Sequence, residues 1–240
     1  MNVALVFLAA IGAIIIWWLA GQRLTSKPWL EASPVQAVAG GQEPPVVAVK
    51  IGLYVFLGVV GALFSLSVSA YFMRMEASDW GGMPVPRLLW VNTAVLVLSS
   101  AVLQWARREA RLGHMETLQP MLAAAFLLAA LFLVGQIQAW RELMSTGYVL
   151  ADNPANSFFY MLTGLHGLHV LGGLVVLGRT TARSFVADAR KDRLRLSVDL
   201  SAIYSHFMLA VWLMLFALFA GWANDFVDLC RQLLNQGIPG

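Results

Sequence analysis

The chain has a single cysteine, Cys230, only four histidines among 240 residues, and 12% charged residues. One thiol excludes an internal disulfide and any all-thiolate zinc or iron–sulfur centre within one chain. Scarce charge, set against 59% hydrophobic residues and a mean hydropathy of +0.71, excludes an ordinary soluble domain. Nucleophile–base pairs, phosphate-cradling glycine loops and paired carboxylates are all missing, and no acidic residue falls inside the long apolar runs. The formal net charge of +3 does not point to nucleic acid, because the basic residues are confined to a few loops, where they orient an inserted chain. No internal repeat is evident, which argues against a transporter built from inverted halves, as does the lack of buried charge.

What the chain does have is six apolar runs, at 3–20, 51–73, 88–106, 120–140, 157–178 and 200–223. A helical run of about 20 residues spans the roughly 30 Å hydrocarbon core of a bilayer. No Lys or Arg precedes the first run, where a secretory signal would carry a basic n-region, so it is expected to be a retained helix rather than a secretory signal. The loops after runs one, three and five hold three, three and six basic residues, against two, one and one in the other loop segments and tail. That asymmetry puts the basic loops in the cytoplasm. The expected fold is an all-α integral membrane bundle of six transmembrane helices with both termini on the outer, periplasmic side. Residues 1–21 form its N-terminal helix, 22–49 a proline-containing cytoplasmic loop, 50–224 a five-helix bundle and 225–240 an outer-side tail.

Local signals refine this picture. Pro28, Pro34, Pro44 and Pro45 with Gly40 and Gly41 keep the first loop irregular. Pro120 suits the first turn of the fourth helix, and Pro154 with Asn156 or Ser157 supplies the cap of the fifth. Gly58, Gly61, Ser65 and Ser69 predict a helix–helix seam, and Gly164, Gly167, Gly172 and Gly173 predict close neighbours along the fifth helix. Trp17, Trp18, Trp90, Trp105, Trp140, Trp212 and Trp222 are read as interfacial anchors.

Two histidines, His166 and His169, stand near the middle of the fifth run, where an ionisable group is costly. Their i, i+3 spacing puts both on one face, so they could ligate a metal or haem, or hydrogen-bond neighbouring helices. The second reading is preferred, because a tetrahedral site lacks further ligands. Only the sixth run carries another histidine, His206, at a depth within about 5 Å of His169. A hydrogen-bonded pair, or a haem held between His169 and His206, is the competing reading. Arg179 and Arg183, four apart beyond the fifth run, are placed to grip one lipid head group together.

The segment SFFYMLTGLHGLHVLGG at 157–173 resembles the F-F-x-x-T-G-x-H-G-x-H-V signature of subunit III of haem–copper terminal oxidases. NTAVL at 92–96, IQAW at 137–140 and YSHFMLAVWL at 204–213 extend the resemblance over 50–224. The resemblance implies a non-catalytic chain beside the haem–copper subunit I, and with it subunit II. Haem and copper are then expected in the partner, and none is bound by this chain. It further implies phospholipid held in a cleft, support of proton uptake, a bacterial inner membrane and an aerobic respiratory complex that reduces oxygen to water with proton pumping. Carried over by position, Thr163, Gly164, Gly167, His166, His169 and His206 match motif residues, and Arg183 matches a lipid-contacting base. Two family acids are replaced, one by Val60 and one by Leu209, and one helix precedes the shared five where forms of seven or five are expected. An accessory protein of nitric oxide reductases shares the helix set and is the alternative within the same class.

Overall fold

A computed structural model describes residues 46–75, 78–81, 84, 86–150, 152–185 and 191–221. The first apolar run, most of the proline-containing loop, and the tail with Trp222 and Cys230 lie outside the described residues. The described chain is five helices: α1 Val46–Met75, α2 Arg87–Leu112, α3 Met115–Ser145, α4 Pro154–Ser184 and α5 Lys191–Phe219. Each contains a stretch long and apolar enough to cross a membrane. Helices α2 to α5 close into a ring in which α2 packs on α3, α3 on α4, α4 on α5 and α5 on α2, while α1 leans on α4 and α5 and does not touch α2.

Short connections force the antiparallel order. Gly113 closes the α2–α3 turn at φ 85°, a left-handed conformation that suits glycine, and its N–H returns to the Glu109 carbonyl. At the start of α4 the Asn153 side chain accepts from the Ala155 N–H at 2.9 Å, with Pro154 at the first helical position. The cap is thus Asn153 rather than Asn156 or Ser157, one residue ahead of the proline. Asn156 and Ser157 instead donate to the Val149 and Leu150 carbonyls and fasten the preceding loop.

The helices outrun the apolar stretches that announce them, mostly at the end rich in Lys and Arg. Arg107, Arg108 and Arg111 lie within α2, and Arg179 and Arg183 within the last turns of α4 rather than beyond it. Helix α5 begins at Lys191 instead of near residue 200 and so takes in Asp199. Hydropathy reports where lipid meets the chain, whereas backbone hydrogen bonding continues through Arg, Leu and Ala, which are good helix formers. Pro120 consequently sits six residues into α3, past the first turn, and removes one helical hydrogen bond there.

Inside, the core divides into two packed regions. Phe64, Leu89, Phe132, Phe159 and Trp212 fill one, and Leu103, Leu118, Leu122, Leu177 and Val198 fill the other, towards the basic end. Trp212 is fully buried, which overturns its reading as an interfacial anchor; Trp90 and Trp105 are exposed. The seam expected along α1 is also not made: Gly58, Ser65 and Ser69 are exposed, and Gly61 alone meets a neighbour, the Phe207 ring. Helix α1 packs instead through Leu57, Val60 and Phe64, larger side chains one turn apart that bury more apolar area.

Candidate functional site

The signature on α4 is where the helices are joined. Thr163 is fully buried, donates its hydroxyl to the Phe159 carbonyl at 2.7 Å and accepts the Trp140 indole N–H at 3.1 Å, tying α4 to α3. One turn on, His166 is also fully buried, and its Nε2–H donates to the Met208 carbonyl of α5 at 3.1 Å. Three aromatic rings enclose the imidazole. Phe132 and Phe64 meet it edge-on at 5.7 and 6.4 Å, and Trp212 lies tilted at 5.0 Å. The Trp212 indole donates to the Thr93 hydroxyl at 2.9 Å, which continues the linkage from α5 to α2.

His169 and His206 play other parts. Each turns Nδ1–H back to the carbonyl four residues earlier on its own helix, His169 to Leu165 at 2.8 Å and His206 to Ala202 at 2.5 Å. No hydrogen bond joins the two. The Tyr204 hydroxyl reaches the His169 carbonyl at 2.7 Å, and His206, two residues along α5, lies about 200° around the helix from that tyrosine. It is exposed, while His169 is half-buried against Phe64. Matched depth, the basis for pairing them, says nothing about azimuth, and azimuth sets them on opposite sides of α5. Among the described residues no group of three or more His, Cys, Asp or Glu side chains is arranged to hold a metal ion.

Glycine matters at fewer places than the pattern predicts. Neighbours of Gly164 and Gly167, Trp140 and Leu133, stand 3.7 and 3.9 Å from where a Cβ would be, an ordinary contact distance. At Gly173 the Tyr204 ring occupies the space of a Cβ, and at Gly178 the Phe126 ring comes within 2.9 Å of it. The two replaced family positions are apolar in their surroundings as well: Val60 belongs to the core and Leu209 packs against it.

Residue-by-residue reading missed Asp199. Its carboxylate, 11% exposed, meets Lys50 at 2.9 Å, Arg107 at 2.5 Å and Arg111 at 3.0 Å, joining α5 to α1 and α2 at the basic end. Apolar run limits placed this aspartate in a loop. The available signal was its position seven residues before His206, two turns along one helical face, opposite a basic i, i+4 pair on α2. Nearby, Arg195 donates to the Ala110 carbonyl and Gln119 to the Ser184 carbonyl.

Between α1, α4 and α5 an apolar groove of about 460 Å³ runs towards that same end, lined by Val49, Leu53 and Phe56, by Gly172, Gly173 and Val176, and by Leu200, Ser201 and Tyr204. Arg179 and Arg183 follow Val176 by three and seven residues, hence on the same face of α4, and both are exposed. Lys50 follows Val49.

Five long apolar helices, four of them joined by a buried histidine and two indoles, define an integral membrane helical bundle whose signature residues hold helices together. The chain belongs to the cytochrome c oxidase subunit III family, whose model matches residues 2–224. It is 30% identical over 174 residues to a probable cytochrome c oxidase subunit 3 of Mycobacterium bovis, covering 70% of this chain and 85% of that one. A cytochrome c oxidase subunit 3 of Thermostichus vulcanus is 29% identical over 172 residues, covering 70% and 84%. That of Oryctolagus cuniculus is 31% identical over 134 residues, covering 56% and 50%. Membership of this family implies a complex with other oxidase subunits.

Proposed function

We propose that the chain is the non-catalytic subunit III of a proton-pumping haem–copper terminal oxidase in a bacterial inner membrane. It flanks subunit I, with subunit II in the same complex, stabilises the catalytic chain, holds phospholipid and supports proton uptake from the inner side. Haem and copper belong to the partner. The observation that carries the non-catalytic reading is that the motif histidines do not converge on a common site: His166 fastens α4 to α5 within the core, and His169 and His206 bond back to their own helices on opposite sides of α5. Residues 1–21 add a sixth helix, the proline-containing stretch expected over 22–49 connects it through the cytoplasm to a bundle that begins at Val46, and both termini, with the tail 225–240, face outward.

Purification in mild detergent tests this, by the masses and haem content of what accompanies the chain. Haem and copper are expected in a large oxidase subunit that copurifies. A nitric oxide reductase large subunit in its place would overturn the assignment. So would a Soret band from this chain expressed alone that disappears in His206→Ala.

The lipid reading is supported by the groove and its cationic end. An acyl chain fits an apolar trough of that size, and a phosphate suits Arg179 and Arg183 towards its basic end. Replacing Arg179 and Arg183 together with alanine is expected to strip tightly held phospholipid from the purified complex. Unchanged lipid content by mass spectrometry would refute it.

A further inference from the structure

Helices α2 to α5 leave a small cavity where they meet. Its volume is about 30 Å³, and all four helices line it, with Ser99 on α2, Ala129 on α3, Gly173 and Leu177 on α4, and Ser201 and Ser205 on α5. None of its lining residues is exposed. Gly173, Ser201 and Tyr204 line both this cavity and the apolar groove, and so form the wall between them. A water molecule needs about 10–15 Å³ of such space and two to four polar partners.

Ser201 differs from other buried hydroxyls of the bundle. Those of Thr163 and Thr181 donate to the carbonyl four residues earlier on their own helix, and that of Ser99 donates across to the Ala125 carbonyl of α3 at 2.9 Å. Ser201 is 7% exposed, and its hydroxyl meets no hydrogen-bond partner among the described residues. Such a group is costly in hydrocarbon, because acyl chains and apolar side chains offer it nothing. Ser99, having donated its proton to α3, still has oxygen lone pairs with which to accept.

The two serines also fall between the direct ties of α2 to α5. On one side the Trp212 indole donates to the Thr93 hydroxyl, and on the other Asp199 holds Arg107 and Arg111. Between these, at Ser99 and Ser201, no direct hydrogen bond joins the two helices among the described residues.

We propose that this cavity is a binding site for an ordered water molecule, which accepts a hydrogen bond from the Ser201 hydroxyl, donates one to Ser99 Oγ and finds a third partner in Ser205. The bound water is then the missing tie between α2 and α5. The site depends on the four-helix ring alone and is independent of the subunits around it.

The test images the purified complex, as wild type and as Ser201→Ala, at a resolution where other ordered waters are visible. One isolated peak within hydrogen-bonding distance of both the Ser99 and the Ser201 hydroxyls is expected in the wild type, and none in Ser201→Ala. A cavity without density, density that runs on into the groove as an acyl chain does, or a peak unchanged in Ser201→Ala would overturn the proposal. Thermal midpoints give a second readout. Ser201→Ala is expected to lower the midpoint of the wild type and to leave that of Ser99→Ala unchanged, since a bridge already lost with Ser99 cannot be lost again. Equal shifts in both backgrounds, or none in either, would also overturn it.

Discussion

His166 and Gly173 show how much one position can carry in a membrane bundle. The imidazole sits in an aromatic cage and offers α5 its one cross-helix bond, so His166→Ala removes that donor and leaves a cavity that lipid cannot reach. The expected cost is about 2–4 kcal/mol, read as a lower thermal midpoint of the purified complex. Gly173 is the tighter constraint on shape. A methyl there must displace the Tyr204 ring, whose hydroxyl holds the His169 carbonyl, and Gly173→Ala is expected to cost about 1–3 kcal/mol by the same measurement. Gly164→Ala, with Trp140 at ordinary contact distance, is expected to leave the midpoint nearly unchanged, although both glycines belong to the signature segment.

At the scale of elements, α1 is the weakly attached helix. It contacts only α4 and α5, presents Ile51, Val55, Val59 and Leu66 outward, and depends at its basic end on the Lys50–Asp199 pair. Asp199→Asn leaves Lys50, Arg107 and Arg111 facing one another without the carboxylate, and like charges this close repel. Faster amide hydrogen exchange over the first turns of α1 is the expected result, with the four-helix ring protected as before; uniform exchange across all five helices would contradict it. Helix number and order within 46–221 could be read from hydropathy. Helix ends could not, because Arg-rich turns continue the backbone ladder without an apolar signal, and that same shortfall hid Asp199 in a supposed loop.

For the whole molecule, charge and packing tell the same story from two directions. Lys50, Arg107, Arg111, Arg179, Arg183 and Arg195 gather at one end of the bundle, as the loop count requires, and the groove opens towards them. If that end is cytoplasmic, the tail lies outside, and Cys230, the chain's one thiol, provides a probe. A membrane-impermeant maleimide added to spheroplasts is expected to label Cys230 without lysis. Labelling that requires lysis would reverse the orientation and place Arg179 and Arg183 at the outer leaflet.

The sequence by itself determined that this is an all-helical membrane protein, which end of its helices is basic, and which segment identifies its family. Those properties follow from hydrophobicity, charge and residue order, all of which are local. Tertiary structure decided which polar residues meet. His166 turned inward to a carbonyl, His206 turned outward, Trp212 went to the core and Asp199 gathered three cations, because azimuth around each helix and the approach of its neighbours exist only once the helices pack. The histidine pair proposed from depth alone failed for that reason.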